Sequence, residues 1–170
     1  MKNAKLDEND LVVNKKKSKE FLKVENDKKV KNYTKDIEYI TSNEKGDILK
    51  ILASHGKTNS KNSNILNLKD VRGLISSSFR PDIKISSEYA EYDYSNQNSK
   101  FYKNVEIKYN NKIIRCDNLD LNIKNNIAVG YNNVTLQDGS TFMRAQKITM
   151  NIKTKDININ SEDEVKIKSN

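Results

Sequence analysis

The chain has 170 residues and a formal net charge of +8, with 35% apolar and 32% charged residues, four Phe, eight Tyr and no Trp. That is room for one domain and a tail, but too little apolar mass for a large closed core, so a thin β architecture with one wet face per strand fits best. One Pro and five Gly exclude collagen-like and linker-type chains, and a single cysteine, Cys116, excludes an intramolecular disulfide.

The positive charge by itself would suit nucleic acid or an anionic lipid surface. Acidic residues are interspersed throughout, however, and residues 1–32 alone hold ten Lys and six acids, a net of +4. Half of the excess therefore sits in a segment that reads as a charged flexible tail or frayed helix. No run of eighteen apolar residues occurs, and "MKNAKLDENDLVVNKKK" has no apolar stretch of the kind a secretory signal needs. Neither a spanning segment nor a signal is expected in the chain as written.

From Tyr33 to the end, 33–170, the pattern is that of one β domain. Short runs rich in Ile, Val, Tyr and Thr alternate with clusters of Asn, Asp, Ser, Gly and Lys. In chain order the predicted strands are 36–41, 47–54, 71–77, 82–94, 104–109, 112–123, 128–137, 141–152 and 156–160. "SNEKGD", "KYNNKI" and "QDGS" supply turn residues between paired strands, and "SHGKTNS" around His55 reads as a loop. Helix signals are nearly absent.

The segments repeat. "KDI" (35–37), "LKDV" (68–71), "YKNV" (102–105) and "YNNV" (131–134) share one pattern, and each leads through a turn to a second strand carrying a small residue: Ala53, Ser87, Cys116 and Ala145. Ile37 to Ala53 and Val71 to Ser87 are both 16 residues; Val105 to Cys116 and Val134 to Ala145 are both 11. From each small residue to the next Val is 18 residues. A constant connection with a hairpin of two lengths marks an internal repeat. In the second strands the apolar phase slips by one, as between Cys116 and Leu119, Ser87 and Ala90, and Ala145 and Ile148. An odd step in a period-two pattern requires a bulge or corner, here expected on those second strands. Each long strand would then fold over, giving two half-sheets with one shared apolar interior. Cys116 becomes a small corner residue rather than a reactive thiol.

Catalytic chemistry is not visible. The lone His55 has no triad pattern around it and reads as a surface residue, no cluster has metal-ligand spacing, and the glycines form no phosphate loop. "CDNLD" (116–120) lies within a predicted strand and lacks the spacing of a calcium loop. The Tyr-rich run "EYAEYDYSNQ" (88–97) is acidic, which argues against nucleic acid as a partner. No enzyme activity, metal or cofactor is expected.

Residues 84–157 resemble the LptC/LptA/OstA group of lipopolysaccharide export proteins of Gram-negative bacteria. The family pattern is an Ile-x-[Ala/Ser]-x-x-[Ala/Leu] strand, a polar turn and then aromatic-x-[Asn/Asp]-Val. It is matched at 85–105, 114–134 and 143–157, and "DIEYITSNEKGD" (36–47) suits the LptC branch. The likeness covers about residues 36–160 and is strongest to the LptC ectodomain. It implies an open β-jellyroll, or β-taco, whose apolar groove shields lipid acyl chains between the inner and outer membranes. It also implies a periplasmic location, inner-membrane anchoring in a longer form, and partners that are lipopolysaccharide, an inner-membrane ABC transporter and other bridge proteins. The polar residues 1–32 depart from the transmembrane helix of LptC. Inward candidates for lipid contact are Ile85, Val105, Ile107, Ile114, Leu121, Val134, Leu136, Met143, Ile148 and Met150. Candidates for joining partners by strand addition are Ile37 on the first edge and Ile157 and Ile159 on the last, with "EVKIK" (164–168) as a further edge. The alternative is a protein-binding β scaffold with a closed core and no lipid cargo.

Overall fold

The structure, a computed structural model, describes residues 34–78 and 80–160. The tail or frayed helix expected over 1–32 and the edge expected at 164–168 lie outside the described residues. The rest forms a single antiparallel sheet of nine strands in sequence order: β1 (Thr34–Ser42), β2 (Ile48–Thr58), β3 (Ile65–Ser77), β4 (Arg80–Asp93), β5 (Asn98–Tyr109), β6 (Lys112–Asn122), β7 (Ile127–Asp138), β8 (Thr141–Asn151) and β9 (Ile157–Asn160). No helix occurs among the described residues. The all-β jellyroll expectation holds.

The repeat is written into the register. Ile37 pairs with Ala53, Val71 with Ser87, Val105 with Cys116 and Val134 with Ala145. One row therefore crosses the sheet with β-branched residues on odd strands and small ones on even strands. At this row every long strand turns a corner. The buried residues of β6 run Ile114, Cys116, then Leu119 and Leu121, and those of β4 run Ile83, Ile85, Ser87, then Ala90 and Tyr92. Two successive outward residues at the bend let the same side of the strand face inward again, so the sheet folds over on itself.

The corner differs from expectation in one respect. The extra residue sits on the first strands of the later hairpins, not on the second strands: Tyr102 to Val105 on β5 opposes Asn118 to Cys116 on β6, and Tyr131 to Val134 on β7 opposes Lys147 to Ala145 on β8. Lys103 and Asn104, and Asn132 and Asn133, take positive φ there, as Asp36 and Asp70 do singly in β1 and β3. Asn and Asp accept this left-handed conformation more readily than other L-residues. The polar pairs are thus the corner itself and not strand boundaries. For this reason β3 and β5 begin six residues earlier than the predicted 71 and 104, at Ile65 and Asn98. Likewise "SHGKT" is strand and not loop, because β2 passes through its corner and on to Thr58.

The two halves face each other. The first half-sheet carries the turns β1–β2, β3–β4, β5–β6 and β7–β8; the second carries β2–β3, β4–β5, β6–β7 and β8–β9. Gly73 of the first half would place a Cβ 3.4 Å from Phe101 Cζ of the second. The rings of Tyr39 and Tyr92 meet across the interior with centroids 4.2 Å apart. The core is this shared interior, and the outer faces are wet.

Candidate functional site

The interior is built from parallel rows of side chains. In the first half, Ile51, Gly73, Ile85, Ile107, Ile114, Leu136 and Met143 succeed one another across β2 to β8. The corner row brings Val105 and Val134 against Cys116 and Ala145. In the second half, Ile148 follows Gly130 and Leu119, while Leu121, Ala128 and Met150 lie one step deeper. Nine of the ten lipid-contact candidates are buried in these rows and Met143 is partly buried against them. Ile37 is buried in the corner row; Ile157 and Ile159 on β9 pack on its margin.

Several interior residues were missing from that candidate set. Tyr92 and Phe101 are the largest fully buried side chains, joined by Leu49, Ile51, Ile83, Leu119, Ile123 and Ile152. Their signal was present, since Phe101 keeps the parity of Ser99 and Tyr92 that of Ala90. Tyr92 Oη and Ser99 Oγ are buried on cross-strand neighbours without hydrogen-bond partners, and burial drives the Tyr92 phenol pKa upward. With Tyr92 in the core and the Tyr94 hydroxyl donating to Ser63 O at 3.1 Å, the Tyr-rich run offers no continuous exposed aromatic face.

Cys116 sits at the corner, its Sγ facing Gly130, where an added Cβ would lie 3.2 Å from the sulfur and 3.0 Å from Ile148 Cγ2. Burial pushes the thiol up to about 11. His55 lies in β2 beside the corner, its Nδ1 3.0 Å from Ser54 Oγ. Among the described residues no group of His, Cys, Asp and Glu is arranged to hold a metal ion.

Where the turns of the two halves meet, the contacts become polar. Arg80 at the start of β4 is paired with the buried Asp47 and donates from Nη1 to the carbonyls of Ile152 and Lys153, each at 2.6 Å. Asn43 Nδ2 donates to Asp47 Oδ2 at 3.1 Å and approaches Asn126 Oδ1 at 3.2 Å. Gln97 Nε2 donates to Thr41 Oγ1 at 3.0 Å, and Lys155 Nζ lies 4.8 Å from the Tyr109 ring centre. Burial alone would raise the Asp47 carboxyl. Hydrogen bonds from Arg80, Asn43 and Ser77, with the Arg80 charge, instead hold it below the usual value.

The family model for lipopolysaccharide-assembly, LptC-related proteins matches residues 11–166. The chain belongs to this family. The fold agrees: LptH of Pseudomonas aeruginosa, described as the LptA-homologous periplasmic component of the lipopolysaccharide transport device, superposes with a TM-score of 0.53. It is 9% identical, and the match covers 71% of this chain and 92% of that one. No curated protein matches the chain. In this LptC-related chain no helix among the described residues is long and apolar enough to cross a membrane. Its sheet ends in β1 on one side and β9 on the other, each paired along one edge only among the described residues.

Proposed function

We propose that this LptC-related chain is a periplasmic bridge component that takes lipopolysaccharide acyl chains between its half-sheets and joins partners through β1 and β9. The observation that carries the reading is the interior itself. One folded-over sheet encloses a continuous apolar core from both sides, and among the described residues no group of metal-ligating side chains is set into it. Removing acyl chains from water gains roughly 25 cal/mol per Å² of apolar surface. That gain is non-directional, so a chain can slide along Ile107, Ile114, Leu121 and Met150 without a chemical step. The bare backbone of β1, with Ile37, and of β9, with Ile157 and Ile159, can pair with a strand of the inner-membrane ABC transporter or of another bridge protein. In a longer form the same domain would be anchored at the inner membrane.

A photo-crosslinking residue in place of Ile107 or Leu121, in cells, should give an adduct with lipopolysaccharide, while the same residue at the outward Lys100 should not. No adduct at any inward position would sink the lipid reading. A second reading has a specific observation behind it. The half-sheets pack directly on each other and polar contacts bridge their turns, as a protein-binding scaffold with a closed core would require. Inward positions that capture only protein would favour that scaffold.

A further inference from the structure

We propose that Arg80 is a latch that holds the interior shut and ties that closure to both edge strands. The inference rests on the reading of the interior as a cargo site. The guanidinium is gripped from two sides. Asp47 and, through it, Asn43 stand on the loop that leaves β1; the carbonyls of Ile152 and Lys153 stand on the loop that enters β9. Ser77 Oγ, at 3.4 Å from Nε, completes the fork. A second path closes the same ring: Asn43 reaches Asn126 and the carbonyl of Ile123, and Ile152 N donates to Asn126 O at 2.8 Å. The seam between the half-sheets is thus spanned by groups from four turns that meet at one ion pair, its Asp47 buried and its Arg80 partly buried.

A buried ion pair is a poor way to add stability, since apolar side chains of similar volume often serve as well or better, but it is directional and is satisfied in one geometry only. Here it stands at the mouth of an otherwise apolar interior, beside the fully buried Ile83, Ile123 and Ile152. The hairpins also differ in length to place it. Those spanning 37–53 and 71–87 are longer than those spanning 105–116 and 134–145, and the longer two carry Asn43, Asp47 and Arg80 to the turns of the second half. The loop after β1 and the loop before β9 cannot separate while the guanidinium holds both. A partner strand that pulls on either edge therefore acts on the same residue.

The test uses the full chain. Arg80→Lys keeps the charge but loses the fork. It should raise amide hydrogen exchange at 123–126 and around Ile152 at least tenfold, with the far-UV spectrum of the native sheet retained. Ile157→Asp, which loosens β9 without altering a latch group, should raise exchange at the same places. In a Cys116→Ala background, cysteines in place of Asn43 and Asn126 should block uptake of fluorescein-labelled lipopolysaccharide when oxidised and permit it when reduced. Measurable uptake that is equal in oxidised and reduced forms, or unchanged exchange in Arg80→Lys, overturns the latch. Unchanged exchange in Ile157→Asp overturns the tie to the β9 edge. If exchange rises as expected and no form takes up lipopolysaccharide, the latch stands as a closure and the cargo reading falls.

Discussion

Asp47 is a carboxylate with almost no exposed surface, 1% for the residue, held by Arg80 and Asn43. Replacing it by Asn leaves a partly buried guanidinium without its counter-charge, so Asp47→Asn should lose about 3 kcal/mol in urea unfolding at pH 7. The pH dependence has a definite sign. The native carboxyl titrates below its ordinary value of 3.8, so its contribution is complete above that value and is lost as pH falls through the depressed one. The gap between wild type and Asp47→Asn should therefore close progressively below about pH 4. Cys116 gives a second check. With its thiol pushed up to about 11 by burial, it should resist iodoacetamide at neutral pH in the folded protein and react on unfolding. Cys116 was legible in the sequence, because Ala53, Ser87 and Ala145 occupy its place in the sister repeats. Arg80 and Asp47 were not. Arg80 meets partners 33 and 72 positions away through closure of the fold, and periodicity reports only neighbours on adjacent strands.

At the scale of the element, the corner is the feature that makes a sheet into a container. Its polar pairs adopt positive φ, and outward side chains bridge neighbouring strands there: Ser54 Oγ donates to Asp70 at 2.7 Å, and Asn104 and Asn133 donate to Glu88 and Asp117. Asn132 is exposed at φ 63, so Asn132→Val should cost about 2 kcal/mol by calorimetry while Asn132→Gly stays within a few tenths. Equal losses for the two variants would mean that side-chain contacts, not backbone conformation, set the bend. The existence of the bend was readable from the phase slip between Cys116 and Leu119. Its extra residue on β5 and β7 was not, because Lys103–Asn104 and Asn132–Asn133 are polar, and an apolar pattern carries no information where there are no apolar residues. The same blindness cut β3 and β5 short at their corners. Packing beside the bend is tight, so Gly130→Ala should destabilise by about 1–2 kcal/mol, as Ile148 Cγ2 lies 3.0 Å from the new Cβ.

At the scale of the molecule, repetition at fixed spacing specifies the architecture more firmly than composition does. Nine strands in sequence order, each pairing with its chain neighbour, need only local hairpins, and the repeated corner then folds all of them at one line. Inward residues such as Ile107, Ile114 and Leu121 were assigned from parity alone. Tyr92 follows from the parity of Ala90, whereas Phe101 precedes the start at 104 that the sequence pattern gives its strand. What parity cannot express is whether the two halves part to admit a guest, because a packed interior and a cargo groove demand the same side chains. The molecule carries its own controls for that question. Ile40, Ile48 and Ile127 are exposed on the outer faces, while Ile107, Leu121 and Met150 are interior. With methyl-labelled Ile, Leu and Met and micellar lipopolysaccharide, nuclear Overhauser contacts from acyl-chain methylenes should reach Ile107, Leu121 and Met150 and bypass Ile40, Ile48 and Ile127. Contacts confined to the outer isoleucines, or none at all, would contradict a lipid-carrying interior.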